Sequence, residues 1–260
     1  MENDLNIRVI DLASDAGRLL LESGSDITRV EDTISHILEA FGIKDYDLYT
    51  LTNGIFLSSL NKSKDGKHDY TRISNIPSQA TNLGRIDQIN TLSRDIASGK
   101  CTIDEAEARL DIIKHAPPMK TIVRLLATAL SAGAFCMLFG GSWIDAISCA
   151  VIGFLYYYVA IQFEKTQLSK LLTTGICGII FAALAILSYH FGLCQNLDKV
   201  IIGDIMPLIP GLSTVNAVRD IAAGDYLSGA VRIIDAVVIT VGIAVGVGTS
   251  IIIFTSLGVI

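Results

Sequence analysis

Four stretches in the second half of the chain, residues 121–139, 144–163, 171–191 and 236–254, run close to twenty residues with at most one charged side chain each. A helix of that length rises ~1.5 Å per residue and matches the ~30 Å hydrocarbon thickness of a bilayer. No water-soluble domain of ordinary size needs so much continuous apolar sequence. The charge distribution makes the same division. Up to Lys120 there are 14 Lys/Arg and 19 Asp/Glu, whereas from Thr121 onward there are 6 and 7. The expected fold is therefore an α-helical integral membrane protein. An N-terminal soluble α+β domain, 1–117, precedes a bundle of about five transmembrane helices, 118–260, with one broken or short span.

The N-terminal part alternates between two periods. Leu5, Val9, Leu12, Ala16, Leu19 and Leu20 recur at helical spacing up to Gly24. Ser25 or Asp26 can cap a second helix through Val30, Ile34, Ile37 and Leu38, ending at Gly42. Residues 46–60 are rich in β-formers, and Lys64-Asp65-Gly66 marks a turn before a further strand. Helical character returns over 83–98, and Thr102 with Glu105 has the spacing of a capping box. Pro117-Pro118 closes the domain.

The opening MENDLNIRV has no basic segment followed by an apolar one, so no secretory signal is expected and the first part is expected in the cytoplasm. Its mild acidity argues against nucleic acid as a partner. The five cysteines stand far apart, and His36, His68, His115 and His190 have no metal-ligand spacing. No P-loop, GxGxxG or nucleophile motif occurs. Neither metal nor cofactor is expected, and nothing supports a catalytic residue.

The most unusual segment is GDIMPLIPGLSTVNAVRDIAAGD, residues 203–225. Pro207 and Pro210 break a helix, Gly211 can adopt backbone geometry closed to other residues, and Ser213 or Thr214 can cap a new helix that ends near Gly224. Transporters hold ions and anions at such half-helix ends; a short span followed by an interfacial helix fits equally well. Gly211, Ser213, Thr214, Asn216 and Arg219 are the candidate substrate-binding residues. Asp204, flanked by apolar residues, is the candidate proton-coupling group, unless it merely ends a helix at the headgroups. Arg232 and Asp235, three apart, share a face and can pair. Gly242-Gly246, and Ala127, Ser131 and Ala134, offer small-residue faces for helix association. Of Tyr156-Tyr157-Tyr158 at least one should face protein. Trp143 suits the membrane interface.

Several of these pieces, in order, resemble the threonine/serine exporter family in its shorter form. They are ESGSDITRVEDT with Gly24, Arg29 and Glu31; TNGIFLSSL; TNLGRIDQIN with Asn82, Leu83, Gly84 and Arg85; and the 206–236 segment with Pro207, Pro210, Gly211, Arg219, Asp220, Gly224, Asp225 and Gly229. The resemblance implies proton-driven export of small hydrophilic metabolites, either threonine/serine-type amino acids or succinate-type dicarboxylates. It also implies a partner, a smaller membrane subunit resembling the exporter's second half, because fused members carry a second membrane half. The inner membrane of a bacterium is the expected location. With a cytoplasmic amino terminus, Lys165, Lys170, Arg219 and Arg232 fall on inner connections and only Lys199 outside. Two rival readings stay open: a membrane-anchored enzyme, or a metabolite sensor acting through the first domain.

Overall fold

The computed structural model describes residues 2–63, 66–77, 80–164 and 168–260. It is mostly helical, with one small sheet. The chain forms two compact units. The first comprises 1–117 together with 212–233, and the second 118–211 together with 234–260.

In the first unit, α1 (Glu2–Glu22) and α2 (Ile27–Ala40) meet at a tight turn. Gly24 adopts a left-handed φ of 82°, and the Asp26 side chain caps α2 by accepting from the Arg29 amide. A meander of β1 (Tyr46–Leu51), β2 (Gly54–Ser63) and β3 (Gly66–Asn75) follows, antiparallel throughout with β2 in the centre. The Lys64-Asp65 turn lies outside the described residues. Alternation puts Ile55 and Leu57 into the core and leaves Phe56 exposed. Gly17 of α1 is needed for this packing, since a Cβ there would lie 2.5 Å from Ile34 Cδ1 and 3.1 Å from Ile55 Cδ1. Helices α3 (Leu83–Ala97) and α4 (Ile103–Lys114) complete the core through Ile89, Leu92 and Ala106. The Thr102–Glu105 capping box forms as its spacing predicts.

The second unit contains α5 (Thr121–Leu138), α6 (Trp143–Glu164), α7 (Lys170–His190) and α8 (Leu197–Ile205), the last continued by a single 3-10 turn, Met206–Leu208. Two further helices, α9 (Gly211–Ala222) and α10 (Tyr226–Ser256), follow. Four helices (α5, α6, α7 and α10) are long and apolar enough to cross a membrane, and the count becomes five if the broken pair 197–208 and 211–222 is one span. Helix α10, at 31 residues, is ~46 Å long. Its first two turns belong to the first unit, and the stretch 234–256 alone can cross the hydrocarbon.

Three expectations are corrected first. Gly211 adopts no left-handed conformation, and a Cβ on it would meet open space, so this glycine is not required by its backbone. Helix α9 already begins at Gly211, which puts Ser213 and Thr214 inside its first turn rather than at a cap. Arg232 does not pair with Asp235: its Nε lies 2.9 Å from Asp220 Oδ2, while Asp235 receives Lys170 Nζ at 2.6 Å. Spacing of three on a helix permits contact, but a closer tertiary partner prevails for each group.

The small-residue faces also differ from expectation. On α5 the packed residues are Thr128, Ala132, Gly133 and Cys136, one position away from the predicted stripe, and Ala127 and Ala134 are exposed. The glycines of α10 mesh with glycines of α7. A Cβ at Gly246 would lie 2.2 Å from the Gly175 carbonyl oxygen, and one at Gly242 2.9 Å from that of Leu171. This pair of glycines is used inside the chain, not held for a partner.

Candidate functional site

Helix α8 enters the second unit beside α5 and α6, and three small residues let it approach. A Cβ on Gly203 would lie 2.7 Å from Cys149 Sγ and 2.9 Å from both the Ala132 carbonyl oxygen and Cys136 Cβ. Gly133 and Gly153 are equally tight against α6 and α5, with contacts of 2.9 Å and 3.0 Å. The reason α8 carries glycine at 203 is thus packing, and the consequence falls on its neighbour Asp204. That residue is wholly buried, and among the described residues neither carboxylate oxygen accepts a hydrogen bond.

The surroundings hold Asp204 in place through its backbone instead. Tyr156, wholly buried and packed on Phe181 with ring centroids 5.4 Å apart, donates its hydroxyl to the Asp204 carbonyl oxygen at 3.1 Å. The Cys149 thiol, also beside the carboxylate, donates to the Val200 carbonyl at 3.6 Å. A carboxylate fixed among cysteine, glycine and alanine, with only the Cys149 thiol as a neighbouring donor and that thiol turned to the Val200 carbonyl, is an expensive arrangement unless the proton itself is the partner. Tyr157 differs from Tyr156: its hydroxyl accepts from Arg124 Nη2 at 3.0 Å, while Tyr158 is exposed. The exposed Trp143 opens α6.

Asp145 was not singled out by sequence, yet it is the best-satisfied buried acid of this unit. Its carboxylate accepts from the amides of Ser142, Gln195 and Asn196 at 2.8, 2.6 and 3.1 Å, from Ser142 Oγ at 2.9 Å and from Asn196 Nδ2 at 2.8 Å. A signal was available: Ser142-x-x-Asp145 ahead of an apolar run is a capping-box spacing.

The other predicted site residues lie in the first unit, apart from Pro207, Pro210 and Gly211. Asn216 Nδ2 donates to the Gly24 carbonyl at 2.8 Å, and Arg219 Nη1 donates to Asp26 Oδ2 at 3.0 Å. Asp220, wholly buried, accepts from the Ile27 amide at 3.1 Å, and Arg232 Nη2 donates to the Ser25 carbonyl at 2.6 Å. Gly224 ends α9 with a φ of 93°, and Asp225 opens α10 by accepting from the Ser228 amide at 3.3 Å. So Asn216, Arg219 and Asp220 gather around the 24–27 turn. Burial acts to raise the Asp26 carboxyl, but the Arg29 amide and the Arg29 and Arg219 guanidiniums outweigh it and hold the group below its ordinary range. The five cysteines are free and buried, and no three metal-binding side chains come together among the described residues.

Four or five apolar helices packed through glycine, with a buried acid among them, define a multi-pass α-helical membrane protein. The chain belongs to the threonine/serine exporter family: a family model described as "Putative threonine/serine exporter" matches residues 11–254. It is similar to the "Probable threonine/serine exporter" of Mycobacterium tuberculosis, 25% identical over 94% of this chain and 46% of that protein. It is also similar to the "Threonine/serine exporter" of Corynebacterium glutamicum, 25% identical over 94% of this chain and 50% of the relative. The chain thus spans about half the length of the curated relatives it matches. No solved structure matches it.

Proposed function

We propose that this chain is the larger half of a proton-coupled exporter of small hydrophilic metabolites, of the threonine/serine amino-acid or succinate dicarboxylate type. The observation that carries the reading is Asp204, a wholly buried carboxylate without a hydrogen-bond donor on a helix set among apolar spans. Proton uptake and release by such a group, as the carrier changes facing, links solute movement to the proton gradient. Tyr156 and Gly203 keep it in register. The other membrane half is supplied by a smaller subunit; support comes from the half-length match to relatives whose names are exporters. Inverted membrane halves of transporters generally frame the solute path at their interface.

In this reading 1–117 is a soluble cytoplasmic domain at the inner membrane of a bacterium, and Asn216 and Arg219 serve to hold α9 against the 24–26 turn. The Lys/Arg asymmetry of the loops supports that orientation. An enzyme or sensor anchored by its membrane part needs one span and has no use for a buried acid there. Reconstitution into proteoliposomes with and without the candidate smaller subunit tests the proposal. Counterflow of serine, threonine or succinate is expected only with both halves present. Robust counterflow by this chain alone removes the need for a partner, and no flux of any of the three with both halves present ends the exporter reading.

A further inference from the structure

The 234–256 stretch of α10 carries three glycines, Gly242, Gly246 and Gly248, and they are used differently. The first two pack on α7, where an added Cβ would meet backbone oxygens at 2.9 and 2.2 Å. Gly248 stands about 200° round the helix from Gly246, and a Cβ on it would meet nothing within 4 Å. Glycine weakens a helix relative to alanine, so packing within this chain gives no reason for it at 248.

The face that carries Gly248 opens on a groove. Thr240, Ala244, Gly248 and Ile251 recur at helical spacing and form one wall, which rises about 16 Å. Ile205 of α8 and Ile209, just past the 3-10 turn, form the other, and the space between them is about 380 Å³. Ile251 also lines a second cavity of about 720 Å³, which continues past Ile201 and Ile202 to the polar Gln195, Asn196 and Asp198 at the start of α8. Both cavities lie wholly within the second unit. The groove is thus apolar along its length and polar at one end, the profile that a membrane helix lying alongside would match. The Thr240 hydroxyl donates to the Ala236 carbonyl at 2.9 Å, which leaves the smaller cavity suited to an apolar occupant rather than a polar solute.

A lipid chain fills any apolar groove and has no need of glycine, whereas small residues let the backbone of a second helix come close. The chain also spans only 46–50% of the relatives it matches, so a further stretch of exporter sequence has to be seated somewhere. From the groove, the spare glycine and this half-length match we infer that the α8–α10 groove seats a transmembrane helix of the smaller membrane subunit. The inference rests on the split-exporter reading for the partner's identity and deepens it by assigning the surface of contact. On α8, Ile201 and Ile205 lie on a different face from Asp204, whose carboxylate lies toward α6, where a Cβ on Gly153 would come within 3.4 Å of Oδ1. Helix α8 then forms the one layer between the partner's helix and the buried acid.

Co-expression of the tagged full chain with the candidate smaller subunit, followed by detergent extraction and affinity purification, tests the seat. Gly248→Leu and Ala244→Leu fill the groove and should reduce the co-purified subunit about tenfold or more. The melting temperature of each variant purified alone should stay at the native value, because position 248 opens on empty space and Ala244 is exposed. A photo-crosslinking benzophenone side chain at position 244 should join the smaller subunit. Native-level retention of the subunit by both leucine variants, or crosslinks from position 244 only to lipid or to a second copy of this chain, would overturn the inference and leave the split-exporter reading standing. A native chain that retains no subunit at all would end both.

Discussion

Asp145 and Asp204 are both wholly buried in the second unit, and the chain treats them in opposite ways. Asp145 stands in the first turn of α6 and gathers five donors, three of them from residues 195 and 196, so it ties the start of one span to the segment ahead of α8. Asp204, on α8 itself, is offered none. A buried carboxylate with full hydrogen bonding is a structural rivet. One without is retained at a cost, and in a membrane protein such groups mark ion and proton pathways. Burial alone does not separate the two; the donor inventory does.

The comparison is broken most directly by replacing each acid. Asp145→Ala strands five part-buried donors and should lower the stability of the detergent-solubilised protein by about 2–3 kcal/mol, seen as a drop in melting temperature and in membrane levels. Asp204→Asn should leave the melting temperature unchanged or raise it, because no donor loses its acceptor. A large fall for Asp204→Asn would mean that a hidden partner exists and that the contrast is wrong.

Next in size is the packing that seats α8 and α10. Gly203→Val and Gly246→Leu put side chains where a single Cβ already comes within 2.7 Å and 2.2 Å of its neighbours, and each should cost about 1–3 kcal/mol. Gly211→Leu, with open space around it, should be neutral to stability. Parallel thermal melts of the three variants check the ranking.

The smallest effects belong to the Asp26–Arg219 pair of the first unit, whose arginine is half-exposed. Arg219→Gln removes one partner of Asp26 and should cost about 1 kcal/mol or less. Because the Asp26 carboxyl titrates below its ordinary 3.8 when folded, its contribution is complete above that pH and is lost as pH falls further. Unfolding measured between pH 5 and pH 3 should therefore steepen for the native chain and flatten for Asp26→Asn; identical profiles would remove Asp26 from the account.

Local signals were legible in the sequence. Span ends, the Thr102–Glu105 box, the Gly24 turn with its Asp26 cap and the extended character of 46–60 follow from short-range pattern, whereas the division of that stretch into β1 and β2 at residues 52–53 does not. Tertiary choices were not. Arg232 had an acid three residues away, yet takes Asp220 twelve residues back, because α9 folds against the turn that also holds Ser25. The Gly242-Gly246 face pointed to association without saying with what, and Gly175 and Gly178 of α7 supply the answer. Asp145 escaped notice because its partners lie fifty residues on. For Asp204 the sequence leaves two places open, a proton-coupling position among the spans and a helix end at the headgroups. Only the close approach of α5 and α6 at Ala132, Cys136 and Cys149 decides for the core.

The central claim is that Asp204 carries the coupled proton. It is tested by reconstituting Asp204→Asn with the candidate smaller subunit at verified protein levels, then comparing solute counterflow with uptake driven by an imposed pH gradient. Counterflow should persist near the native rate while the gradient no longer drives accumulation. Accumulation at the native level with unchanged pH dependence would contradict the claim and move the coupling role to another group.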